Sequence, residues 1–278
     1  VGFFGRLSPF HRLTALLLIA LLLAACNSRR GLRPDDLPTP ADLNALATAL
    51  PLTENAPPAP YTAGTDDFAL IDNGLTELPG WRYVVQFQFD GVFSDSGAAT
   101  RAVAAAEVSF NQVASARRVT FTTQGELIGQ TEDSAYEAVR LGPDAFLVRE
   151  GICLTGASAD AAAAADLRAG ELVGGVSLAV PAGRRAVING ETVYAFRFEP
   201  EAFQLPAIRL DEGGALTIDS AELWIAPARR AVIRFYANLT VTRALLFDRA
   251  RPVNGTILLR YDLYDIGTAF NITVPFGC

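Results

Sequence analysis

The residues best placed to do chemistry are Leu23-Ala24-Ala25-Cys26. Ahead of them stand Arg6, His11 and Arg12, followed by an apolar run from Leu13 to Ala25. A basic start, a short apolar core and small residues before a cleavage point make a secretory signal. The run is too short to cross a bilayer comfortably as a permanent helix. The same four residues fit the bacterial lipobox. Small side chains at the two positions before the cysteine let a dedicated peptidase reach the Ala25–Cys26 bond. Cys26 then carries a thioether-linked diacylglycerol and becomes the mature N-terminus. Each buried acyl CH₂ contributes about 0.8 kcal/mol, so two or three such chains hold a protein on a membrane essentially permanently. The expected product is lipid-anchored on the extracytoplasmic face of a cell membrane, at the outer surface or in a periplasm. The alternative is an ordinary cleaved signal with a chance cysteine.

Little other chemistry is open to the chain. Its one histidine, His11, leaves with the signal, and no lysine occurs anywhere in the 278 residues. A Ser-His-Asp triad, a Cys-His dyad and a histidine metal site are thereby excluded from the mature protein, and no enzyme, cofactor or metal is expected. The pairs Asp35-Asp36, Asp66-Asp67, Glu132-Asp133 and Asp211-Glu212 lack EF-hand spacing and read as solvated turns or helix starts. Losing residues 1–25 removes Arg6 and Arg12 and none of the 30 acidic residues, which moves the net charge from −7 to −9. An acidic surface argues against nucleic acid as a partner. Val1 in first place and the absence of Met suggest a GTG start codon, and basic residues that are all Arg suggest a GC-rich genome.

Two cysteines remain after Cys26, an even pair for an oxidising compartment. Cys153 and Cys278 are expected to be bridged, the alternative being two separate buried thiols. A closed loop of about 100 residues is worth on the order of 4–5 kcal/mol in the chain-entropy model.

These groups need a body to carry them. Residues 26–60, with Pro34, Pro38, Pro40, Pro51, Pro57, Pro58 and Pro60, read as an extended tether. Within it, Leu43, Leu46 and Leu50 could share one face of a short helix begun at Thr39-Pro40. Residues 61–278 read as one domain. A helix is expected over Asp66–Leu78, capped by Thr65, with Phe68, Ile71, Leu75 and Leu78 on one face and Pro79-Gly80 ending it. The period then changes to two. Trp81, Tyr83, Val85, Phe87 and Phe89 alternate with Arg82, Val84, Gln86, Gln88 and Asp90, as in a strand with one dry face. Strands follow at Ala102–Asn111, Arg117–Thr123, Ala135–Arg140 and Ala145–Arg149, spaced as an antiparallel meander. Ser158–Ala169 is Ala-rich and helical, with Gly170 as its stop. Asn189-Gly190 turns a hairpin whose second strand carries Tyr194, Phe196 and Phe198. Later strands run over Ala215–Ile225, Ile233–Thr242 and Thr256–Ile266. Their dry residues are Ile233, Phe235, Ala237 and Leu239, then Ile257, Leu259 and Tyr261.

The expected fold is mainly β (α+β), a curved antiparallel half-open barrel wrapped around two or three short helices. Its apolar face must be covered, and short helices leave a groove floored by the dry residues just named. Such a groove suits an acyl chain. The plainer alternative is a sheet closed over its own side chains.

Several stretches resemble a known group. The lipobox, the amphipathic helix before Trp81, the meander and the Ala-rich helix are similar to the LppX/LprG group of lipoproteins. So are Asn189-Gly190-Glu191-Thr192-Val193-Tyr194-Ala195-Phe196 and Ala221-Glu222-Leu223-Trp224-Ile225 followed by Ala231-Val232-Ile233-Arg234. That group is similar in fold to the LolA/LolB carriers. The resemblance covers most of residues 65–278 by pattern. It implies a half-open barrel capped by helices that binds acylated lipids or lipoprotein acyl chains, and it supplies no catalytic residues. The expectation is therefore a membrane-anchored holder or carrier of lipid, set against a non-enzymatic surface scaffold with a protein partner of unknown kind. Cys26→Ala should leave the protein as an unprocessed precursor or release it from the membrane on fractionation; a variant that matures and fractionates like the wild type would remove the lipobox reading.

Overall fold

The computed structural model describes residues 68–125, 134–156 and 158–278. All lie in one compact unit, Thr53–Cys278. The signal, the tether and the Leu43/Leu46/Leu50 helix fall outside the described residues.

The body is mainly β, with a large open antiparallel sheet and a few short helices. Strands β1 (Gly80–Phe93), β2 (Ala99–Asn111), β3 (Ala116–Gln124), β4 (Ser134–Leu141), β5 (Asp144–Arg149) and β6 (Ile152–Thr155) form a meander. Helices α1 (Ala159–Ala165) and α2 (Ala169–Val173) follow, then β7 (Gly175–Val176), β8 (Val180–Ile188), β9 (Glu191–Arg197) and β10 (Phe203–Gln204). The long strands β11 (Ile208–Ala226), β12 (Ala231–Leu246) and β13 (Val253–Tyr264) come last in the chain order. Eleven strands lie in the order β6-β5-β4-β3-β2-β1-β13-β12-β11-β9-β8, while β7 and β10 pair separately.

First and last strands are neighbours at the centre. Tyr83, Val85, Phe87 and Phe89 of β1 face Leu263, Tyr261, Leu259 and Ile257 of β13. Cross-strand partners point to the same side, so two alternating strands build one continuous dry face. Phe235, Ala237 and Leu239 of β12 extend it opposite Tyr261, Leu259 and Ile257. The wet face of the same strands carries Arg82, Gln86 and Gln88, all partly exposed.

One connection covers the dry face. β6 lies at one edge of the sheet and β8 at the other, so the chain from 156 to 179 must travel between the two edges. On the way α1 packs over β3, β4, β5 and β6, and α2 packs over β1 and β13. α1 starts where Ser158 Oγ accepts from Ala161 N at 3.3 Å, as its capping propensity requires.

The expected helix over Asp66–Leu78 is not formed in its described part. Residues 71–74 are turns, and a single 3₁₀ turn spans Leu75–Glu77. Gly74 sits in the left-handed region at φ 81°, which breaks helical continuity. Phe68, Ile71, Leu75 and Leu78 are nevertheless all buried. Gly170 does not stop the Ala-rich helix. That helix ends at Asp166, and Gly170 is buried inside α2. Strand β11 begins earlier than expected. A register shift between Leu210 and Ala215 absorbs Gly213-Gly214, and the Arg243 side chain binds Asp211 there and donates to Glu212 O. Strands β6, β7 and β10 have no sequence signal, being four and two residues long.

Cys153 and Cys278 are bonded to each other, across a sequence separation of 125 residues and with Cα atoms 5.3 Å apart. Cys153 lies in β6, so the bond fastens the C-terminal tail to the edge of the sheet.

Candidate functional site: the covered apolar face

The expected lining residues do share one surface. Tyr83, Val85, Phe87 and Phe89 are buried, as are Ile233, Phe235, Ala237, Leu239, Ile257, Leu259 and Tyr261. Trp81 and Phe196 are buried near its ends, and Tyr194 and Phe198 are partly buried against the same core. Most of these side chains expose 1% or less of their surface. The face is thus almost wholly buried. Fully burying a Leu, Ile or Phe side chain stabilises by about 1.5–3 kcal/mol, so this face is the main source of cohesion in the body.

Among the described residues, what lies over it is thin. The strap Phe68–Leu78 contributes Phe68, Ile71, Leu75 and Leu78, and the crossover contributes Ala161, Ala165, Leu172 and Val173. Beyond α2, Phe203 of β10 meets Phe235 edge-on at 5.5 Å and Phe198 at 5.6 Å. Gly174-Gly175 serves this layering and not a ligand cradle. A Cβ on Gly175 would stand 2.2 Å from Phe68 O, and Gly174 O accepts from Ile71 N at 2.9 Å.

Two charged side chains fasten the cover. Asp72 is buried and accepts from Ala169 N at 3.1 Å and Gly170 N at 3.2 Å, the first amides of α2. Helix amides at that end have no intrahelical partner, so a carboxylate from a distant segment caps them. Arg168 reinforces the join, reaching Asp72 at 3.5 Å and Asn73 Oδ1 at 2.7 Å. Arg117 of β3 does the converse at the other helix. Its guanidinium donates to Ala165 O and Leu167 O, carbonyls left open at the end of α1, and to Tyr83 Oη at 3.1 Å. Tyr83 in turn donates to Leu167 O at 3.3 Å. Burial raises the Tyr83 phenol well above its ordinary range, against the lowering influence of Arg117. Arg140 holds Asp166 with two hydrogen bonds of 2.6 and 2.7 Å.

These groups surround a cavity of about 360 Å³ lined by Asp72, Leu75, Trp81, Arg117, Asp166 and Arg168. A second hollow of about 370 Å³ lies at the far edge, beside Leu178, Val180, Phe198 and Ala202. Leu178 and Val180 are 57% and 44% exposed there. Among the described residues no three His, Cys, Asp or Glu side chains gather as a metal would need.

Asp72 and Arg117 are absent from the lining expected from sequence, yet each leaves a trace. Arg117 falls in phase with Val119 and Phe121, where an apolar residue is due. Asp72 falls four residues after Phe68, among the buried positions. A charge on a dry face is the signal for a buried partner. Arg184 and Arg185 stand exposed on β8, the terminal strand, where charge discourages edge pairing. On the wet face Asp262 accepts from Arg234 at 2.7 Å and from Tyr236. Burial and that hydrogen bond push the Tyr236 phenol up to about 12.

No family model matches the chain, and no curated protein matches it. Solved structures do. LprF from Mycobacterium bovis, of the LppX/LprG type, matches at TM-score 0.33 and 13% identity, over 75% of this chain and 93% of that one. A LolA superfamily protein from Nitrosomonas europaea matches at TM-score 0.21 and 8% identity, over 70% and 88%. A lipoprotein-sorting protein domain of the outer membrane, so described, from Vibrio parahaemolyticus matches at 0.20 and 6%, over 68% and 87%. Overlaps this loose carry no argument, and the functional reading rests on this chain's own residues.

Removing the Asp72 carboxylate leaves two buried amides without an acceptor. Asp72→Ala should therefore cost roughly 2–5 kcal/mol in urea unfolding, and Asp72→Asn, which keeps one acceptor, should cost less. An Asp72→Ala protein as stable as the wild type would show that the cover is not fastened there.

Proposed function

We propose that this chain is a membrane-anchored extracytoplasmic lipoprotein that binds or carries acylated lipid on the dry face of its sheet and is not an enzyme. Anchoring would come from acyl chains on Cys26, domain bounds would fall near residues 25 and 60, and Trp81–Phe89, Tyr194–Phe198, Ile233–Leu239 and Ile257–Tyr261 would line the occupied site. The observation that carries this reading is the mismatch between face and cover. A broad apolar surface lies under α1 and α2, which are seven and five residues long, and a strap without regular helix. Helices so short have little stability of their own. They can part from the sheet as units, and an acyl chain that takes their place keeps the face out of water. The Cys153–Cys278 bond is consistent with an oxidising compartment.

The close packing of the face favours a second reading, a surface scaffold whose sheet is simply closed. The two differ in one experiment. Native mass spectrometry with lipid extraction, on a soluble form begun after Cys26, should find copurifying diacyl or triacyl lipid. After delipidation, the same lipid should raise the melting temperature. A protein that is lipid-free as purified, and takes up no acylated lipid from vesicles, is a scaffold.

A further inference from the structure

Tyr261 carries an anomaly inside the dry face. Its side chain is fully buried, and its hydroxyl is the one buried side-chain polar atom among the described residues without a hydrogen-bond partner. Leaving such a group unpaired costs on the order of 1–3 kcal/mol. Phenylalanine would fill nearly the same volume without that cost, and Phe87, Phe89 and Phe235 on the same face do so. The neighbouring Tyr83 makes the contrast sharp. Its ring centroid is 5.5 Å from that of Tyr261, yet its hydroxyl is fully engaged with Arg117 and Leu167 O. Asp72 lines the cavity of about 360 Å³ that it shares with Arg117 and Arg168. Through the Tyr83 ring, whose hydroxyl meets Arg117, Tyr261 stands one side chain away from that charged hollow. Burial keeps its phenol protonated, so its O–H remains available as a hydrogen-bond donor.

We propose that the Tyr261 hydroxyl donates to an ester carbonyl of the bound lipid. The lipid's hydrocarbon then lies along β1 and β13, and its polar end enters the hollow lined by Asp72, Arg117 and Arg168. This assignment rests on the lipid-binding function and narrows it to ester-linked acyl lipids. A saturated hydrocarbon tail offers Tyr261 nothing, and an ether linkage has no carbonyl to receive the proton. Opening the seam between the strap and α2, where Asp72 meets Ala169 and Gly170, brings an ester group to this depth.

The test is an internal comparison, so a general loss of binding cancels. The whole mature chain, residues 26–278 with Cys26→Ser, is incubated with vesicles of equal parts dipalmitoylphosphatidylglycerol and its dihexadecyl ether counterpart, and the bound ratio is read by native mass spectrometry. Wild type should prefer the ester lipid by roughly 3- to 10-fold, the worth of one neutral hydrogen bond, and Tyr261→Phe should bring the ratio to about one. Lipid-free Tyr261→Phe should melt no lower than the lipid-free wild type, because no bond is lost. An equal ratio in wild type, a preference retained in the variant, or a marked loss of lipid-free stability would overturn the assignment and leave lipid binding standing. Uptake of neither lipid by wild type would overturn both.

Discussion

An open sheet with one dry face cannot stand alone in water, and that constraint arranges the rest of this molecule. The face is built where β1 meets β13, because strands with period-two patterns place every second side chain on the same side. Much of its cover comes from the one long connection among the described residues, between the sheet edges at β6 and β8. A closed barrel would have needed no such connection. Here the crossover supplies α1, α2 and β7, and the strap before β1 fills the remaining width.

The fastening of that cover is polar, and it is concentrated. Asp72 caps α2 from another segment, and Arg117 caps the end of α1 from β3. Neither helix could satisfy these ends itself, since Arg168 at the start of α2 makes no side-chain cap. A few well-made hydrogen bonds to charged groups, each worth about 1.5–3 kcal/mol, can hold a layer in register without welding it to the sheet. Hydrophobic contact supplies cohesion without direction, and Asp72 and Arg117 supply the direction. The tail is fastened separately, through Cys278 to β6.

Much of this was legible in sequence, for local reasons. The alternation at Trp81–Phe89 and Ile233–Thr242 leaves no other sensible conformation. Asn189 and Gly190 both take positive φ, 52° and 83°, as a tight hairpin demands. The even cysteine pair is bridged. Misjudged elements share a cause: they are held by partners remote in sequence. The strap has helical spacing in Phe68, Ile71, Leu75 and Leu78, but Gly74 and the bonds of Ile71 and Asp72 to the crossover override it. Gly170 looks like a helix stop and instead lies buried in α2, where the approach of Leu70 leaves no room for a Cβ. The dry residues of the face were all identifiable, whereas how tightly they pack depends on which short pieces lie over them, and periodicity carries no record of that.

The central claim is that the cover separates from a sheet that stays intact. Hydrogen–deuterium exchange of the mature chain, with and without vesicles of diacyl phosphatidylglycerol, tests it directly. The amides of 68–78 and of α2, including Ala169 and Gly170, should exchange much faster than those of β1, β12 and β13, and lipid should alter protection in the cover and leave the sheet unchanged. Exchange in the cover as slow as in the central strands, and unaffected by lipid, would contradict the account and make the dry face a permanent core.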